Sequence, residues 1–93
     1  MTPEDQATVL AVLETEVAKL GRPDASCRVY RESDWTDRDG ETYPGRWLAA
    51  VRIGRGSSMY EFSIEADLIL LDGTVDILRG ELEEGSRKSP RAT

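Results

Sequence analysis

The 93-residue sequence has no histidine and one cysteine, Cys27. Without an imidazole there is no base for Ser-His-Asp or Cys-His catalysis. The two scarcities together leave no conventional zinc site and no intramolecular disulfide. No catalytic residue, metal site or cofactor site is therefore expected. A lone cysteine suits a reducing compartment, so the expected setting is cytoplasmic. Apolar runs such as Leu68-Ile69-Leu70-Leu71 fall far short of a membrane span, so no membrane association is expected. The acidic, polar start Met1-Thr2-Pro3-Glu4-Asp5 lacks the basic and apolar segments of a secretory signal. Bases are the minority charge, 12 against 18 acids, for a net charge of −6. That balance argues against direct binding of nucleic-acid phosphates.

What remains is enough for one domain and too little for two. The hydrophobic fraction of 39% supports a compact core. Thr2, Pro3, Glu4 and Asp5 have the order of a helix start, with a capping hydroxyl, a fixed φ and early acids. Leu10, Leu13, Val17 and Leu20 follow at helical spacing, widened by Val9 and Val12, while Glu14, Glu16 and Lys19 fall largely off the stripe. Gly21 and Pro23 end the pattern, which predicts a helix over 3–20.

The rest of the chain reads as strands. Residues 25–31 alternate, with Cys27 and Val29 on one face. Residues 46–53 place Trp47, Ala49, Val51 and Ile53 together. Over 58–71, Tyr60, Phe62, Ile64, Ala66, Leu68 and Leu70 share one parity, and Glu61, Ser63, Glu65 and Asp67 share the other. Asp72-Gly73 reads as a two-residue hairpin turn. Residues 74–83 read as a returning strand with a parity switch near Arg79-Gly80. The expected fold is α+β, a two-layer sandwich of one N-terminal helix on a four-stranded antiparallel meander. One domain spans 1–84, and 85–93 is expected to be a disordered basic tail.

Several stretches invite a chemical reading. Asp37, Asp39 and Gly40 match part of a calcium loop, but the register puts Trp35 at its first position and Arg46 where a bidentate Glu belongs. A solvated loop turning at Asp39-Gly40 accounts for it. Gly54-Arg55-Gly56-Ser57-Ser58 is glycine-rich and basic but lacks the ending of a phosphate loop, and a tight turn accounts for it. Cys27 reads as a small core residue. Glu61, Glu65 and Asp67 share one strand face; this is an outer acidic face, matched in part by Arg28, Arg52 and Arg79, or a docking surface for a basic partner. Trp35 and Tyr43 lie in the long charged stretch from Glu32 to Gly45. Such rings are binding anchors or fold back as a lid.

Helix-then-strand order, with Tyr60-Glu61 and Asp72-Gly73 within 46–84, resembles the topology of PepSY-type domains and of the accessory O proteins of gas-vesicle clusters. The Arg-rich ending of the second group is absent, and neither resemblance transfers a function.

The function these features favour is a non-enzymatic protein-binding module, a small acidic regulator, adaptor, inhibitor or assembly factor. Trp35 and Tyr43 would anchor another protein, Glu61, Glu65 and Asp67 would steer a basic surface, and a sheet edge would permit a homodimer. One alternative is a ligand-binding or enzymatic domain with a pocket between helix and sheet. Another is an inhibitor that mimics nucleic-acid phosphates.

Overall fold

The computed structural model describes residues 1–71 and 74–90. Helix α1 spans Pro3–Ala18 and starts as the sequence predicts, with Thr2 Oγ1 accepting from the Asp5 N–H at 3.0 Å. It stops two residues early, and Gly21 closes it with a bond to the Ala18 carbonyl. Strand β1 (Ala25–Arg31) follows, then the short strands β2 (Trp35–Thr36) and β3 (Thr42–Tyr43). Strand β4 is Trp47–Ile53 and β5 is Tyr60–Glu65, joined through a 3₁₀ turn at Gly56–Ser58.

The main sheet is antiparallel in the order β1-β4-β5, a meander interrupted by the β2-β3 hairpin. Its inner face carries Cys27, Val29, Ala49, Val51, Ile53, Phe62 and Ile64. Against it pack Val9, Leu13 and Val17 of α1. The fold is therefore α+β, with the N-terminal helix on an antiparallel sheet, as the pattern of 1–65 predicts. Among the described residues no helix is long and apolar enough to cross a membrane.

The chain departs from expectation after Glu65. The predicted strand 58–71 ends there and turns into a short helix, α2 (Ala66–Ile69). The ladder explains the stop. β4 pairs with β5 from Ile53↔Tyr60 to Leu48↔Glu65, and beyond Leu48 the chain leaves for the β2-β3 hairpin. Beyond the position opposite Trp47, residues past Glu65 would lack ladder partners on β4, and unpaired backbone groups are costly. Ala66 and Ile69 are buried instead, one helical turn apart, while Leu68 and Leu70 are exposed.

The predicted fourth strand, 74–83, is also a helix: α3 spans Thr74–Lys88. Val75, Leu78, Leu82, Gly85 and Ser89 are half-buried or buried at helical intervals, so the apparent parity switch is a 3.6-residue period. Asp76 in its first turn and Arg87 and Lys88 in its last suit the helix dipole. The sheet is accordingly three-stranded with a separate hairpin. The expected Asp72-Gly73 turn lies outside the described residues.

Gly85 fixes how closely α3 approaches the sheet. A Cβ there would lie 2.6 Å from Tyr60 Cδ1 and 2.9 Å from Ile53 Cδ1. Nor is the segment from 85 onward a disordered tail. It completes α3 as far as Lys88, and Ser89 is fully buried. Arg22 supplies the reason. Its guanidinium forks onto both carboxylate oxygens of Asp24 and donates to the carbonyls of Ser86 and Ser89. It thereby fills the carbonyl positions that a helix end leaves open. Residues 91–93 lie outside the described set.

Candidate protein-binding surface

The long charged stretch folds as a two-stranded arm rather than a lid. Its root is tied twice: Glu32 N–H donates to the Arg46 carbonyl at 2.9 Å, and Gly45 N–H to Asp34 Oδ1 at 2.8 Å. Gly45 is required by proximity, since a Cβ there would fall 1.9 Å from the Glu32 carbonyl oxygen. Gly45 and then Arg31, both donating to Asp34, hold its carboxyl below the usual range.

Farther out, Trp35 pairs with Tyr43 and Thr36 with Thr42. The Thr36 and Thr42 hydroxyls meet at 3.1 Å on one face. On the other, the Trp35 and Tyr43 rings stack with centroids 4.5 Å apart and planes inclined by 21°. The tip turns through Asp37-Arg38-Asp39-Gly40, with Gly40 at φ +84°, where glycine is favoured. Asp37 Oδ1 accepts from the Asp39 and Glu41 N–H groups at 2.9 and 3.0 Å. The Glu41 N–H, with the Tyr43 hydroxyl and other tip N–H groups adding, lowers the Asp37 carboxyl's pKa. The partial calcium-loop match is thus a hairpin turn at Asp39-Gly40. Among the described residues no cluster of three acidic or thiol side chains is placed to hold a metal ion.

The two rings that the sequence singles out are therefore brought together and left in solvent. Trp35 is 57% exposed and Tyr43 37%. An isolated two-stranded hairpin is marginal. The ring stack, worth about 0.5–1.5 kcal/mol, and the Asp37 bonds hold this one in shape. The Tyr43 hydroxyl faces Asp37 Oδ2 at 3.0 Å and Glu41 Oε2 at 3.1 Å. Asp37 first, then Glu41, pushes the Tyr43 phenol's pKa up.

The acidic stripe does not form as expected. Glu61 and Glu65 lie on the outer sheet face, but Asp67 belongs to α2. Both strand acids have basic partners: Glu61 bonds Arg52 at 3.0 Å and Glu65 bonds Arg46 at 2.8 Å. Arg46 also reaches Glu32 at 3.2 Å, joining this face to the arm root. Arg28 sits 4.4 Å above the Tyr30 ring, and Arg79 is on α3, not across the sheet. The outer face is charged but mixed in sign, because each strand acid has an arginine within reach.

Cys27 is half-buried on the inward parity, as expected. Burial first, with Glu14 adding, raises its thiol pKa. Two open grooves, of about 390 and 470 Å³, flank Glu16 and Arg79. They run between α1 and α3, not between helix and sheet as a ligand pocket there would require. Glu16 is 6% exposed and accepts from Lys19 and twice from Arg79. Arg79 is the main reason its carboxyl is held below the usual range. The sequence hides the roles of Glu16 and Arg22, since their long-range partners, Arg79 and the Ser86 and Ser89 carbonyls, lie in the segments read as strand and tail. No family model, curated protein or solved structure matches the chain.

Proposed function

We propose that this chain is a non-enzymatic protein-binding module whose contact surface is the β2-β3 arm. The carrying observation is the exposed Trp35-Tyr43 stack on a hairpin fixed at root and tip. Large rings left in water are costly to display and rewarding to cover. Burying the exposed part of Trp35 is worth on the order of 3 kcal/mol. A pre-shaped arm also loses little conformational freedom on binding. The mixed outer sheet face adjoins the arm through Arg46 and forms the rim of the same surface. A cytoplasmic setting belongs to this reading, since Cys27 has no partner for a disulfide within the chain.

The test is affinity capture from the native lysate with the tagged chain and its Trp35→Ala/Tyr43→Ala variant. A protein held in stoichiometric amount by the first and lost with the second, while the variant keeps its cooperative melting, is the expected result. Equal capture by both removes the arm from the function.

A further inference from the structure

Resting on that reading, the arm's charge points to what it grips: we propose that the Trp35-Tyr43 face is a docking site for an arginine-bearing segment of a partner protein. Residues 32–45 hold five acids against the single base Arg38; Arg46 reaches Glu32 and Arg31 reaches Asp34 at the root, which leaves Asp37, Asp39 and Glu41 toward the tip. The ring face and two of these carboxylates fall on the same side of the hairpin. Trp35 and Tyr43 form one cross-strand pair, and Asp37 and Glu41, two residues farther along each strand, flank them toward the tip. Both carboxylates converge on the Tyr43 hydroxyl. A hydroxyl carries one proton, so it donates fully to only one of them at a time. The other is left at the edge of the Tyr43 ring without that donor.

A guanidinium suits this arrangement better than an ammonium. Its plane stacks on an aromatic face while its forked N–H groups meet carboxylates side by side. The strand acids and the buried helix acid are served from within the chain: Glu61 by Arg52, Glu65 by Arg46, and Glu16 by Arg79 and Lys19. Arm acids against partner bases also give attraction at a distance, which speeds encounter and weakens with salt.

The experiment titrates the ¹⁵N-labelled full chain with a short arginine-bearing peptide and with otherwise identical lysine and glutamine peptides. The arginine peptide is expected to shift the Trp35 indole signal and the amides of 37–41, with binding that weakens as salt rises. The lysine peptide should bind several-fold more weakly and the glutamine peptide should leave the arm signals in place. Glu41→Gln, which keeps the Asp37 turn bonds, should weaken the arginine peptide roughly fivefold to tenfold. Tyr43→Phe, which keeps the stack and removes the hydroxyl competing for the carboxylates, should tighten it.

Shifts centred on Glu61 and Glu65, equal binding of the glutamine peptide, or an unchanged Glu41→Gln affinity would each overturn the proposal. So would concentration-dependent self-association that blocks the peptide, which would assign the face to a second copy of this chain. Failure here with arm-dependent lysate capture intact overturns the arginine site alone. Loss of both overturns the binding reading as well.

Discussion

Trp35 and Arg22 mark the extremes of what one residue contributes here. Trp35 touches its hairpin partner and solvent, so its truncation costs the ring stack and leaves the core intact. Trp35→Ala should therefore lower global stability by no more than the stack is worth, about 1.5 kcal/mol, in chemical denaturation, while binding through the arm falls sharply. Arg22 is the reverse case, with a side chain only 2% exposed and bonded to Asp24 and the α3 carboxyl end. Arg22→Met should cost about 3 kcal/mol and make residues beyond 85 accessible to protease. If Arg22→Met melts like the parent, the account of the buried C-terminus is wrong. The sequence shows that Trp35 and Tyr43 sit in one charged stretch. Their contact required the turn at Asp39-Gly40 to set the register Trp35↔Tyr43. Arg22 gave no such signal, because beyond its neighbour Asp24 the carbonyls it reaches lie more than 60 positions away.

At the scale of elements, legibility followed the clarity of the period. Helix α1 and strands β1 and β4 were readable because cap, stop residues and alternation agreed. Residues 58–71 misled because Leu68 and Leu70 continue the strand parity by coincidence, while the choice is made by where β4 stops pairing. Residues 74–88 misled because Gly80 and Ile77 blur a helical stripe that Leu78, Leu82 and Gly85 carry. The two helical glycines test this directly. Nothing lies within 4 Å of a Cβ added at Gly80. Gly80→Ala should then stabilise by about 0.5–1 kcal/mol. Gly85→Ala gains the same propensity but drives a methyl into Tyr60 and Ile53. Overpacking of about 1–3 kcal/mol should prevail and lower the melting temperature. Opposite signs are the expectation, and equal stabilisation would mean α3 does not approach the sheet as described.

For the whole molecule, acids held by partners set the response to pH. Glu16, Asp24, Asp34, Asp37 and Glu84 all have carboxyls below their ordinary values. Arg79 is the main cause at Glu16, Arg22 at Asp24, the Gly45 N–H at Asp34, the Glu41 N–H at Asp37 and Lys88 at Glu84. A depressed folded pKa gives stability that is present above the unfolded value and lost as pH falls through the folded one. Melting temperature should hold level between about pH 6 and 8, where no histidine titrates, and decline below the ordinary carboxylate range near about pH 4. A midpoint drop near neutrality would contradict this.

The central claim separates the three-stranded core with its helices, which provides the fold, from the arm, which provides the contact. It is tested most directly by replacing residues 35–43 with an Asn-Gly turn and measuring unfolding and lysate capture on the same preparation. The account predicts a core that unfolds cooperatively within about 1 kcal/mol of the parent and captures nothing that the parent held. A shortened chain that retains the parent's partner would place the function elsewhere on the molecule.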